Sequence, residues 1–278
     1  MVWFPNWTCQ NYTMGRSFGK RCPYCPFSFD QKSNRLIYEN EICGSNEYAP
    51  LDDLIGFFNS NFNEIGGHLD ISGGEVLLRK DVPDILASIS HTWSITSNTL
   101  MTSAIERIIS NGSIKRCLAW TASYHPLSNR DDQFEKSIRL LSLHRPARVT
   151  VVIANSTIDL LKDIISYLKS LPITGITWHM DAHGPDEIDH LVWQAEQVVG
   201  EKIRCLAGPP LKGVMCRVNE NLLAVSPDGQ LYPCATFAYT NESPISRVSE
   251  SVKLSELPRE VRWCDHECFA CCDHIKHV

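Results

Sequence analysis

No apolar run in the 278-residue sequence approaches the ~18 residues that a membrane-crossing helix needs. Residues 1–7 carry no basic segment followed by an apolar core, so no secretion signal is read there. A cytoplasmic protein is expected. Long basic runs are missing as well and the formal net charge is −6, which excludes the electrostatic footprint of a general nucleic-acid binder. Internal repeats and low-complexity tracts are also absent. Cysteine is scarce in the middle of the chain. Of 12 cysteines, only Cys43, Cys117 and Cys205 lie apart from a front group (Cys9, Cys22, Cys25) and a rear group (Cys216, Cys234, Cys264, Cys268, Cys271, Cys272). A disulfide framework would not be expected to leave such a gap. In a reducing compartment, clustered cysteines more often bind metal or do redox chemistry.

What is present is enough apolar material, 43% of residues, to bury a sizeable core as one large domain or one domain plus an appendage. Short apolar, often β-branched runs lie at 2–7, 67–71, 92–96, 116–123, 149–154 and 174–180. They read as buried parallel strands. Stretches with helical spacing lie between and after them, at 51–62, 82–90, 102–110, 132–144, 157–171 and 187–199. In the fifth, Leu160, Leu161, Ile164, Ile165 and Leu168 make one apolar stripe. Asp52, Asp53 and Asp81 sit where a helix start favours negative charge. Six strand–helix units in order predict a parallel α/β fold, as a partial (β/α)6 barrel or an open doubly wound sheet. In either, the active site belongs at the carboxyl ends of the strands. From about residue 201 the texture changes. Gly208-Pro209-Pro210 marks a break, and Ser226-Pro-Asp-Gly229 predicts a hairpin turn between 222–225 and 230–233. The expected division is therefore a barrel over 1–200 and a small cysteine-rich α+β extension over 201–278.

Cys22-Pro-Tyr-Cys25 is a C-x-x-C pair just after the first strand, and a gap of twelve residues separates Cys9 from Cys22. Three thiolates on one loop can hold three irons of a 4Fe–4S cluster and leave the fourth iron for an outside ligand. Gly15 and Gly19 give the loop freedom to fold back. A zinc site with Cys43 as fourth ligand, or a thioredoxin-like redox pair, are the alternatives for these residues. The redox pair wants a helix at the motif, which Pro26-Phe-Ser-Phe29 does not supply. Further on, Ser72-Gly73-Gly74-Glu75 ends the second strand, Ile95-Thr96-Ser97-Asn98-Thr99 ends the third, and Ser123 ends the fourth.

Together these segments resemble the radical S-adenosylmethionine (SAM) superfamily. Its signature is C-x3-C-x2-C with an aromatic before the last cysteine. Cys22, Tyr24 and Cys25 match the second half, and the first gap is enlarged. The resemblance implies that Cys9, Cys22 and Cys25 hold a SAM-cleaving 4Fe–4S cluster. Gly73, Gly74 and Glu75 match the family's G-G-E motif, which receives the methionyl amino group of SAM. Two glycines permit close backbone approach, and a carboxylate accepts hydrogen bonds from an ammonium. Ser97 and Asn98 match a T-N-G segment near the SAM ribose or carboxylate, with Thr99 in the usual glycine's place. Ser123 stands where the family often places a polar contact to SAM. An ordinary turn is the bland alternative for Gly73-Gly74-Glu75 and for Ser123.

The rear cysteines resemble the SPASM and twitch extensions of the same superfamily. Cys216, Gly229 and Cys234 fit their C-x(9–15)-G-x4-C element, in which a hairpin carries two ligands of an auxiliary iron–sulfur cluster. Cys268 and Cys271 supply the closing C-x2-C pair, with Cys264 and Cys272 as alternates. One auxiliary cluster is implied, and a structural zinc site is the alternative. The implied activity is reductive cleavage of SAM to a 5′-deoxyadenosyl radical, supported by a reductant such as flavodoxin or ferredoxin. His179, Asp181 and His183, at the end of the sixth strand, are the candidates to face substrate. With no peptide-recognition domain read ahead of the barrel, the leading expectation is oxidation or rearrangement of a small polar metabolite. Modification of a peptide is the rival enzymatic reading. A zinc-stapled binding module is the rival outside enzymology.

Overall fold

The structure is a computed structural model that describes residues 1–7, 48–126, 130–153, 155–180, 188–205, 214–218, 223–240, 243–257 and 260–264. The strands read from the sequence are present as β1 (Val2–Trp3), β2 (His68–Ile71), β3 (Thr92–Ser97), β4 (Cys117–Tyr124), β5 (Arg148–Ile153) and β6 (Gly175–Met180). Between and after them run helices α1 (Leu51–Ser60), α2 (Val82–Ser88), α3 (Thr102–Ser110), α4 (Asp131–Ser142), α5 (Leu161–Lys169) and α6 (Ile188–Val199). None of the described helices is long and apolar enough to cross a membrane.

Strand order decides between the two architectures. Each of β1 to β6 pairs in parallel with its successor, and a short β7 (Arg204–Cys205) continues the series. A doubly wound sheet would reverse its order partway. Sequential order is that of a barrel, and the described strands leave it open, so the fold is a partial (β/α)6 barrel. A hairpin of β9 (Ala224–Val225) and β10 (Gln230–Tyr232) joins the free edge of β1, with β9 parallel to β1. Its turn is the Ser226–Gly229 segment expected from the sequence, and Gly229 takes φ +84° there. A small β11 (Ser246–Arg247) pairs with β10. Separate from this sheet, β8 (Val214–Val218) and β12 (Glu260–Cys264) form an antiparallel ribbon.

Several boundaries differ from the sequence reading. β1 ends at Trp3 because Pro5, two residues on, has no N–H for the ladder. The fifth helix opens as a 3-10 segment over Asn155–Leu160, and Leu160 is exposed. Its apolar stripe narrows to buried Leu161, Ile164 and Leu168, with Ile165 partly buried beside them. Asp52 and Asp53 do lie in the first turn of α1. Asp81 precedes α2, but its carboxylate bonds to Arg79 instead of capping the helix.

The core lies between strands and helices. Alternate strand residues (Leu69, Ile71, Trp93, Ile95, Trp120, Val149, Val151, Trp178) are buried with Phe57, Ile85, Ile105, Ile138 and Leu168 of the helices. Strand side chains alternate between faces, so the other face carries Asp70, Ser94, Thr96, Thr121, Ser123, Thr150, Thr177 and His179. Packed barrel interiors are dominated by Val, Ile and Leu. This concave face is rich in hydroxyls instead, and none of these eight residues is fully buried.

Candidate functional site

The carboxyl ends of β1, β2 and β3 meet in a cluster of buried polar groups. Glu75, just past β2, is 0% exposed. Its Oε1 accepts from the Leu77 N–H at 3.0 Å and the Ser97 hydroxyl at 2.8 Å, and its Oε2 accepts from the Asn98 N–H at 2.7 Å. The carboxylate thus ties the loop after β2 to the end of β3. Burial pushes its pKa above the ordinary carboxyl range, while the three donors pull it back. A carboxylate has about four lone-pair positions. A ligand reaching Glu75 would take the remaining one or displace a donor.

Ser97 and Asn98 are nearly as enclosed, at 2% and 4% exposed. The Ser97 Oγ accepts from the Thr99 N–H at 2.9 Å, and the Asn98 Oδ1 accepts from the Leu100 N–H at 3.1 Å. Thr99 takes φ +62°. A β-branched residue in that left-handed region is strained, which is why glycine suits the position. Here the Thr99 side chain holds the turn together: it donates to the Ser97 carbonyl at 3.2 Å and accepts from the Trp120 indole at 3.2 Å.

Gly73 is needed for close packing. It takes φ +133°, and a Cβ there would lie 2.7 Å from the Asn6 carbonyl oxygen. Asn6, which the sequence reading passed over, holds this turn from the β1 side. Its carbonyl accepts from the Gly74 N–H at 3.0 Å, and its Nδ2 donates to the Glu75 carbonyl at 3.1 Å. The Tyr48 hydroxyl donates to the Asn6 Oδ1 at 3.1 Å. Tyr48 in turn stacks on the Arg79 guanidinium, 4.7 Å from its ring centroid. Arg79, 1% exposed, donates to Asp81, to the Ala49 carbonyl at 2.9 Å and to the Pro227 carbonyl at 3.1 Å. A continuous polar chain therefore runs from the hairpin turn to the end of β3. Only a residue with both a donor and an acceptor on one short stem, next to a glycine pair far along the chain, could have signalled Asn6 in advance.

The remaining candidates are more dispersed. Ser123 lies on the concave face of β4 beside Thr150 of β5, and Thr150 beside Thr177 of β6. His179 is on the same face at the end of β6, while Asp181 and His183 lie outside the described residues. Cys9, Cys22, Tyr24, Cys25, Cys268, Cys271 and Cys272 also lie outside them. Cys234 is half-buried just after β10, at the start of the short helix α7 (Ala235–Thr240). On the ribbon, Cys216 pairs with Arg262 and Cys264 pairs with Val214. Cys216 and Cys264 thus lie on facing strands of the ribbon, two register positions apart. Among the described residues no group of three or more His, Cys, Asp or Glu side chains is arranged to hold a metal.

No family model and no curated protein matches this chain. Among solved structures it is similar to Streptococcus suis SuiB bound to S-adenosylmethionine, with 12% identity and a TM-score of 0.52 over 90% of this chain. It is likewise similar to SuiB bound to its precursor peptide SuiA, with 11% identity and a TM-score of 0.53 over 87% of this chain. In both comparisons the chain spans 61% of the matched SuiB chain. At these identities the likeness is one of fold: the partial barrel described above is an architecture also found in a protein that holds SAM.

Proposed function

We propose that the chain is a radical SAM enzyme that modifies a peptide. The observation that carries the SAM reading is the convergence of Gly73, Gly74, Glu75, Ser97 and Asn98 in one bonded cluster at the carboxyl ends of the strands. Cys9, Cys22 and Cys25 would hold a 4Fe–4S cluster, since thiolates are its protein ligands and three of them leave one iron for SAM. When bound, that cluster supplies the electron that cleaves SAM to methionine and a 5′-deoxyadenosyl radical. The protein's own part is to bind and orient. The Gly73–Gly74 backbone meets the amino group, and Glu75 holds the loops after β2 and β3 in fixed relation. Ser123 would contact SAM, and the hydroxyls of the concave face hydrogen-bond to substrate, with His179, Asp181 and His183 at its rim.

What supports a peptide substrate over a small polar metabolite is the SuiB fold, which has been captured with a precursor peptide. The hydroxyl-lined face suits the amide groups of a peptide backbone. In this reading residues 201–278 are the auxiliary extension, with one iron–sulfur cluster held by Cys216, Cys234, Cys268 and Cys271. Of the alternates Cys264 and Cys272, the register beside Cys216 favours Cys264. A flavodoxin or ferredoxin would supply electrons.

The test is anaerobic reconstitution with iron and sulfide, followed by incubation with SAM and a reductant. 5′-Deoxyadenosine should form slowly without substrate, and Cys22→Ala or Cys25→Ala should abolish it. No 5′-deoxyadenosine from iron-loaded wild-type protein, or unchanged formation in both variants, would sink the reading.

A further inference from the structure

The hydroxyl-rich concave face also carries a cation. Arg148 opens β5, and strand alternation puts it on the same face as Thr150. Its side chain is exposed, and its Nη1 donates to the Thr177 hydroxyl of β6 at 3.3 Å. That bond leaves most of the guanidinium donors unused, and among the described residues Arg148 has no carboxylate partner. Asp70, on the same face of β2, is three strands away and lies 3.4 Å from the His68 ring. Beside Arg148 no side chain fills the face: its register partner on β6 is Gly175, where a Cβ would meet nothing within 4 Å. Its register partner on β4 is Thr121. Thr177 accepts from Arg148, so its own hydroxyl proton is free to be donated, and Thr121 brings a second hydroxyl. Ser123 is two residues further along β4 than Thr121, which is about 7 Å on an extended strand.

We infer that Arg148, with the open floor at Gly175 and the hydroxyls of Thr121 and Thr177, is a subsite for a carboxylate of the substrate. An arginine fork matches a carboxylate with two parallel hydrogen bonds, and the space beside it is where the anion sits. The inference rests on the reading of the chain as an enzyme that modifies a peptide. On a peptide the carboxylate belongs to an Asp or Glu side chain or to the C-terminus. The net charge of the protein is −6, so a preference for acidic peptides would run against its overall field and needs a local cation.

The experiment selects short random peptides on anaerobic, iron-loaded protein saturated with SAM, so that the carboxylate of SAM already occupies its own place. One library is amidated at its C-terminus and the other has a free carboxylate. From the amidated library, wild type should enrich Asp and Glu over Asn and Gln by about fivefold, the scale of an ion pair that starts out open to solvent. Enrichment of the free-carboxylate library instead would assign the same subsite to the peptide C-terminus. Arg148→Gln should abolish the preference, and Arg148→Glu should turn it toward Lys and Arg. Thr177→Val removes the hydroxyl that holds the guanidinium and should lower the preference partway. A general loosening of the barrel would weaken acidic and amide peptides alike and leave the ratio intact. An intact ratio in the folded Arg148 variants overturns the inference, as does a wild type that binds peptides with no preference for carboxylates. A wild type that forms 5′-deoxyadenosine yet binds neither library overturns the peptide reading, and the subsite with it.

Discussion

Glu75 is a buried ionisable group at the carboxyl end of the barrel, and His91, just before β3, is one at the amino end. Both are 0% exposed. Glu75 receives three donors from two loops. His91 has no hydrogen-bond partner on either ring nitrogen among the described residues, and its ring packs against Phe58 and Phe62. The difference is instructive. At the carboxyl end buried polarity is organised, bond by bond, into a rigid frame. At the amino end a polar ring is used as an apolar filler. Function at strand ends needs fixed backbone groups, and the frame supplies them. The other end needs only to be closed.

The comparison breaks most visibly at Arg79. One guanidinium there binds Asp81, Ala49 and Pro227, joining the loop after β2 to the hairpin turn. Arg79→Met keeps much of the stem and loses every donor. It should lower stability in urea unfolding by about 3 kcal/mol, the range for breaking a buried ion pair with its hydrogen bonds. Arg107→Met is the control, since the Arg107–Asp84 pair is about half exposed on each side. It should cost under about 1 kcal/mol. Equal losses in the two variants would mean that the polar frame is no stronger than a surface contact.

Glu75→Gln is the next largest. All three partners of the carboxylate are donors. An amide must turn its NH2 toward at least one of them, leaving a buried clash of donors worth about 1.5–3 kcal/mol. SAM affinity should fall as well, because the loops after β2 and β3 shift, while iron content stays near wild type. Unchanged stability and affinity together would reduce the Glu75 cluster to an ordinary turn.

How much of this was legible beforehand follows from where the signal lies. The strands and helices were readable because burial on one side imposes a period, as in Trp93, Ile95 and Ser97 of β3 or Leu161, Ile164 and Leu168 of α5. Strand order was not: a parallel α/β pattern fits barrel and doubly wound sheet alike until pairing is seen. The motif residues Gly73, Glu75, Ser97 and Asn98 were nameable from their place at strand ends. Their mutual bonding was not, since Glu75 and Ser97 are 22 positions apart and nothing local links them. Asn6 and Arg79 were missed for the same reason. Each is unremarkable in its own segment, and its meaning comes from carbonyls contributed by distant loops. The ribbon of β8 and β12 escaped because its strands are 42 residues apart and each is too short to show alternation against the cysteine-rich background.

The smallest effect belongs to His91 and appears only in acid. Burial, helped by the nearby N-terminal ammonium and His68, pushes its pKa down to about 4. In the unfolded chain it titrates near its ordinary value of 6.5. Above 6.5 both states are neutral and His91 has no pH-dependent effect. Between 6.5 and 4 the unfolded state binds the proton and the folded state does not, so stability falls as pH falls. At pH 5 the loss should reach about 2 kcal/mol, from about 1.4 kcal/mol per unit over that interval. Other groups titrate in the same range, so the measurement is a difference. Urea unfolding at pH 7.5 and pH 5 should show a smaller acid loss in His91→Phe than in wild type, by about that amount. The ring of phenylalanine can take the same contacts with Phe58 and Phe62 and has no nitrogen to protonate. A variant as acid-sensitive as wild type would mean that His91 gains its proton without disrupting the packing. The amino end would then hold a charge as readily as the carboxyl end, and the contrast between the two would vanish.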